Sequence, residues 1–221
     1  MKSIRYWAVV LLVFGVFVQS AQATLMGRLP VTPGGTDYQA AYDDVLDITW
    51  VTDADLSGLG NWQTQVDWAS NLNYLGFRDW RLASMSVSAG VPTSNSPQYV
   101  NPVVTCDGTN EAACRDNELG YMFYENMGGM SGDDLTGTQI VDGVTLTDVE
   151  SVYWSGTESA SGGAWHFRFY NGSQHDFGHD YTDYVWAVRA GDVGAVPEPT
   201  TLALMGLGIA GIGYSRKRKS A

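Results

Sequence analysis

Hydrophobic and polar positions divide the chain into two apolar end segments and a mixed middle. One uncharged apolar run covers residues 7–18, and another covers residues 200–215. Between them, short apolar stretches alternate with polar turns. Neither an internal repeat nor a linker rich in Pro, Gly and Ser divides residues 24–195. The pattern therefore predicts one folded domain, residues 24–195, between two apolar ends.

The first half of the middle predicts a strand and the main helix of the domain. β-Branched and aromatic residues dominate Val45–Val51, which is typical of a strand. Asn61 is a suitable N-cap for a helix that Gly76 would end. The apolar residues of this helix recur every three or four positions, as expected for one buried face, and they are Trp62, Val66, Ala69 and Leu72.

The second half predicts loops followed by a sheet. Residues 84–147 hold most of the Gly, Ser, Asn and Asp, which indicates long loops with a short helix near Glu118–Asn126. Three β-rich runs follow, at Ser151–Trp154, Ala164–Tyr170 and Tyr184–Arg189. Together these elements predict an α+β domain with one main N-terminal helix, long loops and an antiparallel C-terminal sheet.

The run Ala164–Tyr170 predicts a strand with two different faces. Side chains alternate along a strand, so one face carries His166 and Arg168, and the other carries the three rings of Trp165, Phe167 and Phe169. The following Asn171-Gly172 pair suits a tight hairpin turn, because both residue types tolerate a positive φ.

Charge narrows the classes of partner. Residues 24–195 contain six arginines, no lysine and 23 acidic residues, which gives this part a formal charge of −17. Nucleic-acid binding depends on neutralising phosphates with a basic surface, so a nucleic acid is not expected as a partner. The remaining basic residues lie at the two ends of the chain.

The N-terminal end predicts a signal peptide of residues 1–23. Lys2 and Arg5 precede the apolar run, and Ala21-Gln22-Ala23 provides the small residues before a signal peptidase cleavage site. A retained membrane anchor is the alternative, but the run is short for a bilayer core of about 30 Å.

The C-terminal end, residues 196–221, predicts a membrane-spanning helix with a basic stop. As a helix, residues 200–215 would reach about 24 Å, which is a tight but feasible span. Pro197 and Pro199 disfavour helix before it. The positive-inside rule keeps the basic cluster in the cytoplasm and places the acidic domain on the other side; the cluster is Arg216, Lys217, Arg218 and Lys219.

This tail resembles the PEP-CTERM sorting signal of Gram-negative bacteria that make exopolysaccharide. The resemblance rests on three parts in the expected order: Pro197-Glu198-Pro199, the apolar segment and the basic end. It implies that an exosortase-type membrane protease cuts near the Pro-Glu-Pro motif. The protein would then pass from an inner-membrane intermediate to the cell surface or the extracellular matrix. A permanent C-terminal anchor is the alternative.

The two cysteines, Cys106 and Cys114, predict a disulfide. Export to an oxidising compartment permits the bond, and the Asp-Gly and Asn between the cysteines can turn the chain. Closing so short a loop would stabilise the fold by about 2.6 kcal/mol in the chain-entropy model. A zinc site is less well supported, because the spacing is not that of a zinc knuckle and there is no second ligand pair.

Six motifs of the middle, in order, resemble the domain family named for the C-terminal domain of the bacterial collagen-like adhesin Lcl. The resemblance covers about residues 40–192. Ala83 and Gly156 depart from it, where Pro and Ser are usual. The motifs are Asp47-Ile48-Thr49-Trp50, the helix Trp62–Trp68, Gly76–Leu82, Asn117–Tyr121, Val152–Glu158 and Val185–Arg189.

The resemblance implies a C-type-lectin-like arrangement, similar in outline to formylglycine-generating enzymes. The adhesin itself implies attachment to sulfated polysaccharides. A sulfated polysaccharide is a poor candidate ligand for this chain, because a domain of charge −17 would repel sulfate groups unless its six arginines cluster. Fold analogy alone does not establish function.

Several charged and aromatic residues have a structural role as the first interpretation. Arg81 or Arg189 could pair with Asp79 or Glu158 against buried tryptophans, Trp80, Trp154 and Trp186, and so stabilise the fold. The candidate ligand contacts are the aromatic residues that flank the predicted hairpin loop, because such rings can stack on sugars; they are Trp165, Tyr170, Tyr181 and Tyr184.

Metal binding is a weaker hypothesis. His175 and His179 would align on a helix, but Gly178 and the preceding hairpin favour a solvated turn. The acidic pairs suggest structural Ca²⁺, and Asp53-x-Asp55 comes nearest to a calcium loop without matching it. No catalytic residue is predicted, since neither a nucleophile turn nor a phosphate-binding loop is present.

The sequence thus predicts a non-enzymatic exported protein of the envelope or extracellular matrix. Its lectin-like domain would bind a glycan, such as an exopolysaccharide, or a surface protein. Two alternatives stay open: a metal-dependent enzyme that acts on the matrix, and a passive surface constituent.

Overall fold

Residues 24–86 and 114–194, which the computed structural model describes, form an α+β fold that is mostly β. A five-stranded antiparallel sheet contains both the N-terminal and the C-terminal part of this region. Its order is β1-β2-β3-β12-β5. The strands are β1 (Leu25–Pro30), β2 (Tyr38–Asp43), β3 (Ile48–Val51), β5 (Arg81–Leu82) and β12 (Ala187–Ala190).

Three smaller antiparallel sheets complete the β-structure of the described residues. Short β4 (Gly60–Asn61) pairs with β11 (Thr182–Asp183), and β6 (Gly137–Val141) pairs with β7 (Val144–Val149). The third sheet has the order β10-β9-β8 and consists of β8 (Val152–Glu158), β9 (Ala164–Arg168) and β10 (Ser173–Phe177). This sheet contains two of the three runs predicted for the antiparallel C-terminal sheet, Ser151–Trp154 and Ala164–Tyr170. The third predicted run, Tyr184–Arg189, instead contributes β12 to the five-stranded sheet, where it pairs with β3 and β5.

The strand predicted at Val45–Val51 begins later, at Ile48. The Asp43 carboxylate accepts hydrogen bonds from the backbone N–H groups of Val45 and Leu46, at 3.0 and 2.9 Å. Asp47 then adopts a φ of 52°. These contacts turn the chain over residues 44–47, so the first half of the predicted strand is a turn between β2 and β3.

The main helix, α1 (Trp62–Asn71), begins where the sequence predicts. The side chain of Asn61 accepts a hydrogen bond from the Thr64 N–H at 2.9 Å. The helix ends earlier than predicted, because Leu72 is already extended. Gly76 lies beyond the helix end and has a φ of 84°. The buried residues of α1 are Trp62, Gln65 and Ala69, so a glutamine replaces part of the predicted apolar face.

The short helix predicted near Glu118–Asn126 is confirmed. It consists of α2 (Glu118–Tyr121) and a π-helical segment (Met122–Asn126). The prediction of loops around it was wrong for β6 and β7. Their hairpin turn is Asp142-Gly143, in which both residues have a positive φ, of 51° and 80°. Such a pair suits a two-residue hairpin turn.

The hairpin of β9 and β10 is confirmed, but the tight two-residue turn is not. Four residues, 169–172, connect the strands, and the Gly172 N–H donates to the Arg168 carbonyl at 2.8 Å. Gly172 has a φ of 73°, whereas Asn171 is not among the residues with positive φ. The chain after Gly172 is the strand β10, where the sequence predicts a surface loop.

Aromatic side chains fill the main core. Trp50, Trp186, Tyr153, Phe167 and Phe169 are fully buried in one cluster, with ring centroids of neighbours 5.2–5.7 Å apart. The Trp186 indole N–H donates to the Val51 carbonyl at 2.7 Å, so its burial leaves no orphaned donor. A second cluster around Trp62 and Trp154 joins α1 to the sheet of β8, β9 and β10.

Hydrogen bonds hold the C-terminal end of the described region against the five-stranded sheet. Arg28, on β1, makes two hydrogen bonds to the Asp192 carboxylate, at 2.7 and 2.8 Å. The Gly191 N–H donates to the Asp47 carbonyl at 2.8 Å. The polypeptide therefore reaches residue 194 beside β1 and the turn of residues 44–47.

Candidate functional site

A pocket of about 770 Å³ lies between α1, β5, β8, the turn of residues 44–47 and the start of α2. One part of its lining is apolar and includes Val45, Leu46, Val66 and Leu82. Another part carries hydroxyl groups, from Ser70, Ser84, Ser86 and Thr157. The size and the mixed lining suit a small ligand with both apolar and polar faces.

An ion pair between Arg81 and Glu118 forms the charged part of this pocket. Arg81 Nη1 and Nη2 donate to the two carboxylate oxygens of Glu118 at 2.7 and 2.8 Å. Glu118 also accepts the Ser84 N–H at 2.7 Å. Hydrogen bonding to Glu118 raises the pKa of the Arg81 guanidinium. Both side chains are thus held in fixed positions.

Arg81 lines the pocket and is only partly covered. Its side chain is 42% exposed, whereas that of Glu118 is 9% exposed. Nη1 makes one more hydrogen bond, to the Leu82 carbonyl at 3.0 Å. Within residues 24–86 and 114–194, all hydrogen bonds of Arg81 come from Nη1 and Nη2, which leaves the Nε–H as a donor for a ligand.

Asp47 adds a second carboxylate to the pocket lining. Its Oδ1 accepts a hydrogen bond from the Tyr42 hydroxyl at 2.9 Å. The charged groups that line the pocket among the described residues are therefore one arginine and two carboxylates. The formal charge of this set is −1.

The arginine pairs expected from the sequence are only partly those of the structure. Arg189 makes two hydrogen bonds to Asp79, at 2.9 and 2.8 Å, which is one of the expected combinations. Arg81 pairs with Glu118 and not with Glu158, which is exposed at the end of β8. The expected tryptophans, Trp80, Trp154 and Trp186, are all buried.

Glu118 is the pocket residue that the sequence reasoning missed as a partner. It lies 37 positions from Arg81 in the chain, and no local spacing connects the two. The one available signal was its place in the Asn117–Tyr121 motif, directly after a good N-cap.

The predicted aromatic ligand contacts separate into two groups. Trp165 is 8% exposed and belongs to the core, and Tyr184 packs against that core. Tyr170 and Tyr181 are 39% and 60% exposed. These two rings connect through Arg168 and Phe177, in a row with spacings of 5.9, 5.6 and 5.1 Å between the successive groups. None of the four candidates lines the described part of the pocket.

The histidines do not take the arrangement of the metal hypothesis. His175 lies on β10, and His179 stacks on Trp62 with the ring centroids 4.4 Å apart. The sequence reasoning missed buried His166, whose Nδ1 lies 2.9 Å from the Asp183 carboxylate. No group of three or more His, Cys, Asp or Glu that could hold a metal ion occurs within residues 24–86 and 114–194.

Asp53 and Asp55 belong to a local group of carboxylates. The Asp53 carboxylate accepts the Asp55 N–H at 3.1 Å. Burial, and after it the charges of Asp53 and Asp148, raise the pKa of Asp55. Burial and the charges of Asp55 and Asp148 likewise raise the pKa of Glu150. These acids disfavour one another's ionised form.

Several predictions fall on residues that the structure does not describe. Cys114 is fully buried, but Cys106 lies outside the described residues, so the disulfide stays a prediction. The signal peptide and the C-terminal membrane helix also lie outside them. Within residues 24–86 and 114–194, no helix combines the length and the apolar character that crossing a membrane requires.

Comparison with protein families identifies the C-terminal segment of the chain. A family model described as the PEP-CTERM protein-sorting motif matches residues 195–219. The chain ends in a PEP-CTERM motif. The matched range begins directly after the described domain and includes Pro197, Glu198, Pro199 and the basic residues 216–219.

The PEP-CTERM motif confirms that this is an exported protein that an exosortase sorts. Its destination is the surface or the exterior of a Gram-negative cell. No curated protein and no solved structure matches the chain. The function of the domain in front of the PEP-CTERM motif therefore depends on its own geometry.

Proposed function

We propose that the domain is a non-enzymatic, lectin-like module that binds a glycan of the cell envelope or extracellular matrix. The pocket between α1 and β5 is the binding site. The resemblance of six motifs to the Lcl C-terminal domain family supports a lectin-like module. The PEP-CTERM motif supports a place of action where such glycans are abundant.

The observation that carries this proposal is that one part of the pocket lining is apolar and another part carries hydroxyl groups. Sugar rings combine apolar C–H faces with hydroxyl edges, and amphipathic sites suit both. Here the apolar side chains of Val45, Leu46 and Val66 and the hydroxyls of Ser84 and Thr157 line the same space. The free Nε–H of Arg81 adds a fixed donor for a sugar hydroxyl.

The tryptophans of the pocket form part of its wall but are too buried to offer a surface on which a sugar ring could stack. Trp62 and Trp80 are only 7% and 3% exposed, and both indole N–H groups are already bonded, to the carbonyls of Ser155 and Tyr74. Selectivity in this pocket therefore depends on the hydroxyl groups and on Arg81.

A binding assay with a pocket-filling variant tests the proposal. The exported protein, purified from the bacterium that makes it, is titrated with the exopolysaccharide of the same cells, in Ca²⁺ and then in EDTA. Ser70→Trp places a large ring at the pocket edge. Gln63→Trp, on an exposed position of the same helix outside the pocket lining, is the matched control.

We expect saturable binding that Ser70→Trp weakens by about tenfold or more and that Gln63→Trp leaves within about twofold. Loss of binding in EDTA would add a Ca²⁺-dependent contact to the site. Absence of binding in both solutions, or equal binding by Ser70→Trp, would overturn the proposal. Binding of the pocket to a matrix protein alone would replace the glycan with a protein partner.

A further inference from the structure

We infer that the pocket selects an uncharged glycan and rejects sulfated and uronic-acid polymers. This inference rests on the proposed function and makes it more specific. It differs from what the resemblance to the Lcl adhesin would imply, which is attachment to a sulfated polysaccharide.

The first step is the inventory of positive charge. Residues 24–195 contain no lysine, and their six arginines all lie in the described residues. Four of the six are each held by a different carboxylate, at 2.7–2.9 Å; the pairs are Arg28–Asp192, Arg81–Glu118, Arg115–Glu125 and Arg189–Asp79. Each of these four arginines is therefore already neutralised by its own carboxylate.

The remaining two arginines do not supply a sulfate site in the pocket. Arg78 precedes β5, and Arg168 ends β9 in another sheet. Arg168 packs beside the rings of Tyr170 and Phe177, with its central carbon 5.9 and 5.6 Å from the ring centroids. Neither arginine is part of the pocket lining.

The second step is the charge that an anionic ligand would meet. Arg81 already shares both of its terminal nitrogens with Glu118, and Asp47 places another carboxylate in the lining. A sulfate or carboxylate would have to approach these two acids inside a domain of formal charge −17. Like charges at short range oppose this approach, and the domain as a whole repels polyanions.

The third step is the chemistry that is left for recognition. Hydroxyl groups, one guanidinium N–H and apolar side chains can all satisfy an uncharged polyhydroxylated ligand. Such binding does not depend on counterion release. We therefore expect an affinity that changes little with salt, since screening acts on net charges.

A matched set of polymers tests the selectivity. The exopolysaccharide of the producing cells is separated by anion exchange into an uncharged and an acidic fraction, and each is titrated against the exported protein. Dextran sulfate serves as the sulfated competitor. Binding of the uncharged fraction is then measured between about 50 and about 500 mM NaCl.

We expect the uncharged fraction to bind, with an affinity that changes by less than about threefold over this salt range. Dextran sulfate should not compete. Ser70→Trp should weaken this binding by about tenfold or more. Gln63→Trp, which lies outside the pocket lining, should leave it within about twofold.

The failures of the two proposals are distinguishable. Binding of the acidic fraction, competition by dextran sulfate and a steep loss of affinity with salt would overturn the inference but leave a glycan-binding pocket. If neither fraction binds, both this inference and the proposed function fail. Uncharged binding that survives in Ser70→Trp would place selectivity elsewhere and would also overturn the inference.

Discussion

At the scale of single residues, Glu118 connects the pocket to the stability of the domain. Its buried carboxylate accepts from two nitrogens of Arg81 and from the Ser84 N–H. Glu118→Gln keeps the size of the side chain but removes the charge, so one acceptor becomes a donor beside the guanidinium. We expect a loss of about 2 kcal/mol in the free energy of unfolding, measured by urea denaturation.

Glu158→Gln is the control for this loss. Glu158 was the alternative partner of Arg81 in the sequence interpretation, but it is exposed at the end of β8. We expect the control to stay within about 0.5 kcal/mol of the wild type. A larger effect for Glu158→Gln than for Glu118→Gln would contradict the ion pair of the structure.

Asp116 makes stability depend on pH. It is 2% exposed, neither of its carboxylate oxygens has a hydrogen-bond partner among the described residues, and burial raises its pKa to about 6. Since the folded state holds the proton more tightly than the unfolded state, stability falls as the pH rises from about 4 through about 6. Asp116→Asn should therefore be more stable than the wild type at neutral pH, by about 1–3 kcal/mol.

The measurement is the unfolding free energy of both proteins across this pH range. Near pH 4 the wild-type carboxyl is protonated, so the two proteins should differ little, and the gap should open toward pH 7. A gap that is the same at all pH values would show that the substitution acts through packing and not through the charge.

Residue-scale reasoning from the sequence succeeded where partners are specified by local chemistry. The side chain of Asn61 caps α1 as predicted, because the cap requires only a residue three positions away. It failed for Arg81, since nothing in a single sequence distinguishes Glu118 from Glu158 as the partner. The pocket itself was not predicted, because its walls come from five separate parts of the chain.

At the scale of elements, the hairpin of β6 and β7 depends on its turn. Gly143 has a φ of 80°, a conformation that is strained for any residue with a Cβ. Gly143→Ala should therefore destabilise the protein by about 1–2 kcal/mol, as measured by thermal or urea unfolding.

Gly156→Ala provides a comparison at a glycine without this requirement. Its φ is not positive, and an added Cβ would meet the Leu82 Cβ at 3.4 Å, which is ordinary contact. We expect a change below about 0.5 kcal/mol, and Gly156→Ser should be tolerated as well. If both glycines gave the same loss, the positive φ of Gly143 would not be the cause.

The same hairpin shows why the element prediction was incomplete. Periodicity predicted α1 and the runs of β8, β9 and β12, where aromatic and β-branched residues are dense. In β6 and β7, Gly, Thr and Asp dilute that signal, and the strands were interpreted as loop. The pattern at Asp142-Gly143 was sufficient to predict the turn, but it was masked by the polar composition around it.

At the scale of the whole molecule, the dominant property is unbalanced negative charge. Residues 24–195 carry a formal charge of −17, and four of six arginines are already paired. Self-repulsion opposes the compact state, and salt screens it. We expect the melting temperature to rise by a few degrees between about 20 and about 300 mM NaCl.

Replacing NaCl with CaCl₂ distinguishes screening of the protein's negative charge from specific binding of Ca²⁺. At matched ionic strength, a rise with CaCl₂ that exceeds the rise with NaCl would indicate a structural Ca²⁺ site, as the acidic pairs of the sequence suggest. Equal rises would indicate screening alone. A melting temperature that falls with NaCl would contradict the role of self-repulsion.

The hydrogen bonds of residues 191–194 to β1 and to the turn of residues 44–47 determine how force on the C-terminal tail enters the domain. While the sorting tail is attached, a pull on it enters at residue 194 and passes to β1 through Arg28–Asp192 and to the turn of residues 44–47 through Gly191–Asp47. It continues into β12, which is hydrogen-bonded to β3 on one side and β5 on the other. A strand pulled along its axis must break such bonds together, so we expect β12 to resist a pull on the tail.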